Sequence, residues 1–106
     1  MTDNDCIFCK IINKEIPATI HHEDEWSFAF NDIHPKKRVH ILIVPKKHIP
    51  TVADIEEGDE KIMGHLVKVA NKLAKEHACK GYQLLYNVGK EAGQEVFHIH
   101  MHLMGN

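Results

Sequence analysis

Near the end of the chain His98, His100 and His102 alternate with Ile99, Met101 and Leu103. In an extended segment successive side chains point to opposite faces and alternate ones stand about 6.5–7 Å apart, so this spacing sets three imidazoles on one face and three apolar groups on the other. The apolar set can anchor the segment in a core while the rings are held rigidly over an open face, which is what catalysis asks of reacting groups. Neutral imidazole is a good nucleophile near neutral pH and a fair leaving group from phosphorus, so one ring can divide a phosphoryl or nucleotidyl transfer into two easier steps. Backbone N–H groups of Gly93-Gln94-Glu95-Val96, directly before the row, are placed in sequence to hold phosphate oxygens.

Other readings compete. His-x-His pairs at strand ends bind zinc, and His40 and His48 lie beside another apolar run, so a zinc-water hydrolase is the alternative enzyme. A nucleotide-sensing or partner-binding module with little catalysis is the non-enzymatic alternative. The bland reading is a solvent-facing sheet surface, a place where Thr, Lys or Glu would serve as well as histidine. Cys6 and Cys9 form a C-x-x-C pair, which in a reducing compartment points to metal or redox chemistry rather than a structural disulfide, against the plainer reading of small apolar helix residues. Cys79 reads as structural.

The elements that must position these groups follow from periodicity. Ile7, Phe8, Ile11 and Ile12 fall at helical spacing and Pro17 forbids continuation, which predicts a short N-terminal helix. Residues 19–32 read as two strands joined by the acidic turn Glu23-Asp24-Glu25, with Trp26, Phe28 and Phe30 at period two. Residues 39–44, a β-branched apolar run before Pro45, suit a central strand. Within residues 54–79, Ile62, Leu66, Val69, Ala70, Leu73 and Ala74 form one amphipathic stripe, the long helix. Glu56, Glu57, Asp59 and Glu60 suit its positive end, and Gly81 supplies a left-handed stop. Residues 82–87 and 96–104 read as the last two strands. The outcome is an α+β domain with a mainly antiparallel five-stranded sheet, one long helix and one short helix.

At 106 residues the chain is the size of one domain, 1–106. Histidine is the compositional outlier, with 10, and that excess calls for a site. The formal net charge of -2 argues against general binding to nucleic acid, which depends on many cations neutralising phosphates. The clusters Lys36-Lys37-Arg38 and Lys46-Lys47, each after a proline, read as solvated loop faces. No apolar run approaches the roughly 20 residues of a membrane helix, and the first residues lack the basic and apolar regions of a signal peptide, so no membrane association and a cytoplasmic location are expected.

The row His98-Ile-His100-Met-His102-Leu-Met resembles the His-φ-His-φ-His-φ-φ signature of the histidine triad (HIT) superfamily. Cys6-Ile-Phe-Cys-Lys-Ile-Ile, Lys14-Glu-Ile-Pro-Ala, Phe30-Asn-Asp-Ile, His40-Ile-Leu-Ile-Val-Pro-Lys-Lys-His48 and Gly93-Gln-Glu-Val-Phe-His are similar, in order, to its HINT branch. The resemblance implies a HIT-like fold and a homodimer whose subunits join sheets. It also implies hydrolysis of purine nucleoside phosphoramidates or related nucleoside monophosphate conjugates through a nucleotidyl-histidine. By position, His100 would be the nucleophile, His102 would contact the α-phosphate, and His40 would orient and polarise His100. Asp32 would accept from ribose hydroxyls, with Asn31 beside it. Ile7, Phe8, Ile11, Phe30 and Ile33 would form the base pocket, and Asn87, Gly93 and the backbone of Glu95 and Val96 would surround the phosphate.

Two positions depart from that pattern. Glu95 stands where many eukaryotic HINT proteins have serine, and its backbone N–H is the favoured contributor. The sequence ends at Gly105-Asn106 where many relatives continue towards the partner's site, so leaving-group specificity is not implied. Some bacterial HIT proteins resemble galactose-1-phosphate uridylyltransferases in completing the cysteine pair with histidines. Matched by position, Cys6, Cys9, His48 and His98 would hold a structural zinc, fixing His98 and leaving His100 to react.

Overall fold

The computed structural model describes residues 5–106; residues 1–4, at the start read above as lacking a signal peptide, lie outside the described part. The order is α1 (Ile7–Ile12), β1 (Ile20–Glu23), β2 (Ser27–Asn31), β3 (Val39–Pro45), α2 (Asp59–Glu76), β4 (Tyr82–Leu85) and β5 (Met101–Gly105). The five strands form one sheet in the order β1-β2-β3-β5-β4, every neighbouring pair antiparallel. Among the described residues no helix is long and apolar enough to cross a membrane.

The central strand β3 is buried along its whole length because both its faces are covered. Val39, Ile41 and Ile43 pack with Leu66, Val69, Ala70 and Leu73 of α2, while Leu42 and Val44 join Phe8, Cys9 and Ile11 of α1 with Phe28 and Phe30 of β2. Period-two alternation on one strand therefore divides the core into an α2 side and an α1 side. Ile99, Met101 and Leu103 enter the α2 side. The apolar half of the alternating C-terminal row thus anchors it, as its spacing predicts.

Strand β4 ends at Leu85 rather than 87 and β3 runs to Pro45 rather than 44; three further differences from the sequence reading have a local reason. The last strand spans five residues rather than 96–104: its pairing with β3 ends at Ile43↔Met101. Beyond it the Pro45 carbonyl accepts from the ring of His98 at 2.8 Å, while the Ile99 N–H donates to Ile49 at 2.8 Å. His98 and His100 therefore precede the ladder, and only His102 lies in it. Trp26 is not the first of a strand alternation. It sits 43% exposed in the β1–β2 turn, where the Asp24 carboxylate accepts from the N–H groups of Trp26 and Ser27. Helix α2 stops at a His77 cap followed by Ala78 at φ 56°, so the left-handed residue is Ala78, not Gly81.

Candidate active site and metal centre

A cleft of about 1060 Å³ opens on the α1 side of the sheet. Its wall contains Ile7, Phe8 and Ile11 from α1, Phe30, Asn31, Asp32 and Ile33 from the end of β2 and the loop after it, and His40 from β3. The opposite side is built by Asn87, Gly93, Glu95 and Val96, with His100 and His102 between. Every residue assigned by resemblance to base, ribose or phosphate thus lies on one cavity, whereas His98 lies outside it. Ile33 is 84% exposed at the mouth, a cost in apolar surface that fits a residue waiting for a partner.

The histidine tautomers follow from their partners. The backbone N–H of Lys36 donates to His40 Nδ1 at 3.1 Å, so the neutral ring carries its proton on Nε2. That Nε2–H donates to His102 Nδ1 at 2.9 Å and lies 3.3 Å from Asp32 Oδ2. His102 must then carry its own proton on Nε2, ready to donate. His100 donates from Nδ1 to the His98 carbonyl at 2.8 Å, which leaves Nε2 as its unprotonated nitrogen. The expectation that His40 orients His100 is corrected here: His40 bonds to His102, and the carbonyl of His98 orients His100. The reason is register. Leu42 pairs with His102 and His40 with Met104, making His40 and His102 diagonal neighbours across β3 and β5.

Electrostatics keep the rings neutral. Burial pushes His100 below its ordinary value, opposed by the His98 carbonyl and the Asp32 charge. His102 is pushed down to about 4, by burial first and then by the neighbouring His100 and His40, with Asp32 opposing. His40 is lowered by burial, which outweighs the attraction of Asp32. A ring that stays unprotonated at pH 7 keeps a lone pair for attack.

The side of the cleft built by Asn87, Gly93, Glu95 and Val96 rests on a residue whose role the sequence reading missed. Gln94 is buried, donating to the carbonyls of Pro50 (2.8 Å) and Val96 (3.0 Å) while accepting from the Gly89 N–H (2.9 Å). It braces the 89–96 loop from inside, and Gly93 makes the turn at φ 92°. Asn87 donates to the Ala92 carbonyl and closes the same loop at 2.9 Å. Lys36, read as part of a solvated face, lines the cleft, as do His34 and Leu42. Nothing in its local sequence separates Lys36 from Lys37; the turn after Asp32 decides which one faces the site.

Beside the cleft, Cys6, Cys9, His48 and His98 bring one ligand atom each within 4.8 Å of all the others. Cys6 Sγ lies 3.4 Å from His98 Nδ1, Cys9 Sγ 3.4 Å from His48 Nδ1 and 3.5 Å from His98 Nδ1, and the two Nδ1 atoms are 3.1 Å apart. None of the three cysteines is in a disulfide. Such a cluster can hold a metal ion. Asp32, His40 and His102 also converge within that limit, and there the His40 Nε2–H is already given to His102 Nδ1.

The HIT-domain family model matches residues 13–106. This chain belongs to the HIT family. It is 46% identical over 101 residues to the purine nucleoside phosphoramidase of Escherichia coli K12, an alignment covering 93% of this chain and 85% of that protein. Among solved structures, a histidine triad protein from Clostridium difficile matches with a TM-score of 0.95 and 44% identity, covering 100% of this chain and 94% of that one. A HIT family hydrolase from Legionella pneumophila gives 0.93 and 45%, covering 96% and 93%. The sheet order and helix placement described above are those of a HIT fold.

Proposed function

We propose that this HIT protein hydrolyses purine nucleoside phosphoramidates or related nucleoside monophosphate conjugates through a nucleotidyl-histidine. The observation that carries the reading is the His100 tautomer: Nδ1–H is fixed by the His98 carbonyl, so Nε2 is the nucleophilic atom in a cleft-lining ring. Nε2 attacks phosphorus, the P–N bond breaks as the departing nitrogen takes a proton from solvent and leaves as the amine, and water later releases the nucleoside monophosphate from His100. The Nε2–H of His102 stabilises charge on the phosphate oxygens, with His40 holding that ring in its donor state. Asp32 receives the ribose hydroxyls, Asn31 flanks it, and the Ile7, Phe8, Ile11, Phe30 and Ile33 wall takes the base. Asn87, Gly93 and the backbone of Glu95 and Val96 hold the phosphate. The activity for which the Escherichia coli relative is named supports the same reading.

Zinc is the ion we assign to Cys6, Cys9, His48 and His98. Tetrahedral bonds of about 2.0–2.1 Å to nitrogen and 2.3 Å to sulfur put N and S vertices about 3.5 Å apart and two N vertices about 3.3 Å apart. The separations of 3.4–3.5 Å and 3.1 Å fit. His98 also donates Nε2–H to the Pro45 carbonyl, the outer contact a ligand imidazole makes, which leaves Nδ1 for the metal. With four protein ligands its role is structural, tying α1 to the segment before β5.

A homodimer accompanies this reading. β4 is an edge strand and all its residues are exposed, Tyr82, Leu84 and Leu85 among them, which suits continuation of the sheet into a second copy. Cysteines outside any disulfide suit the cytoplasm, and the net charge gives nucleic acid no role here.

The deciding experiment is to quench the enzyme in alkaline denaturant during turnover of an adenosine phosphoramidate, conditions in which a P–N bond to imidazole survives, and to weigh the protein by mass spectrometry. An adenylyl group on His100 is expected. Steady turnover by His100→Ala would overturn the covalent route.

A further inference from the structure

The C-x-x-C pair is placed to do something beyond holding an ion. Cys6 caps α1 and Cys9 follows one turn later, with the Cys9 N–H donating to Cys6 Sγ at 3.4 Å and the two sulfurs within 4.8 Å. On the same six-residue helix, Ile7, Phe8 and Ile11 form the cleft wall. The Phe8 ring meets Phe30 at 5.4 Å, His100 at 5.0 Å and His98 at 6.0 Å, each edge to face. One short helix therefore carries thiols on one side and the base wall on the other. A helix this short has little stability of its own and depends on what its side chains grip.

We infer that Cys6 and Cys9 are a reversible oxidation site, and that closing their disulfide releases the metal-binding cluster and with it the nucleotide-binding wall. The inference rests on the metal assignment above. With hydrogen peroxide as oxidant, the Cys9 thiolate, the more exposed of the two, attacks oxygen; the O–O bond breaks, hydroxide leaves and a sulfenic acid forms. Cys6 then attacks that sulfur and expels a second hydroxide. Two electrons pass from the sulfurs to peroxide, two solvent protons convert the hydroxides to water, and one S–S bond is made. The disulfide has no thiolate to offer a cation, so His48 and His98 lose their shared partner and α1 is no longer clamped to them. A thiol such as dithiothreitol reverses the step by exchange.

The test uses zinc-loaded protein carrying Cys79→Ser, so that Cys6 and Cys9 are its only thiols. Peroxide is expected to liberate about one zinc per chain to a colorimetric chelator, to remove both thiols, and to weaken adenosine monophosphate binding about tenfold. Dithiothreitol with added zinc restores all three. The variant Cys9→His cannot form the disulfide, so whatever zinc content and affinity it has before treatment should change by less than about twofold under the same peroxide. Zinc retained after oxidation of the wild-type pair, or released with nucleotide affinity unchanged, overturns the inference even if the variant does not fold. Failure to load zinc at all overturns the metal assignment instead, and this inference with it.

Discussion

His40 Nε2 and His102 Nδ1 are 2.9 Å apart although 62 residues separate them in sequence. The bond fixes a relay of tautomers, from the Lys36 N–H through His40 to a His102 ring whose remaining proton can only sit on Nε2. His40→Ala is therefore expected to lower kcat at least about tenfold with little change in KM, because the loss falls on charge stabilisation in the transition state. His40→Gln, which can still donate towards Nδ1, should recover part of it. Steady-state kinetics on both variants check this, and equal losses would argue against the relay.

Gln94 makes three hydrogen bonds from a buried position. Removing it leaves the Gly89 N–H and two carbonyls without that partner, at about 1–3 kcal/mol for each group that water cannot reach. Gln94→Ala should lower the unfolding free energy by about 2–4 kcal/mol in urea. It should also raise KM, since the braced loop lines the cleft.

The shifted histidines give stability a pH dependence of known sign. His102 has a folded-state value of about 4, below its ordinary 6.5, so the unfolded chain takes up its proton first. Its contribution is intact above 6.5 and is lost as pH falls from there to about 4, with a slope of up to about 1.4 kcal/mol per pH unit. Buried His40 acts in the same direction. Urea titrations at pH 7, 6 and 5 should show falling stability, and His102→Asn should flatten the decline.

Chelation separates a structural ion from a catalytic one. Stripping zinc should lower Tm by several degrees while kcat at saturating substrate stays within about tenfold of the loaded enzyme, because no ligand position is open for water. Complete loss of turnover in protein that remains folded would favour the zinc-water hydrolase instead.

For the dimer, Leu85 is the position to disturb, being 44% exposed on the edge strand β4. Leu85→Glu puts like charges across a sheet shared by two copies and should shift sedimentation from dimer to monomer at micromolar concentration. An unchanged monomeric profile in both proteins would remove the dimer.

Residue order alone determined what depends on local geometry. The alternation of Ile99, Met101 and Leu103 with histidines set which side chains enter the core, and the stripe from Ile62 to Ala74 set the long helix, because strand and helix periods are properties of the backbone. The motifs likewise carried the family and every cleft residue assigned from it. Tertiary structure alone decided the partners. That His40 meets His102 follows from the register of β3 against β5. That His100 is held by the His98 carbonyl follows from the ladder ending at Met101. Gln94 finds its carbonyls, and Lys36 its place on the cleft wall, only once distant loops come together. A hydrogen bond has a direction and a reach of about 3 Å, and no spacing along a chain encodes which distant group will stand within it.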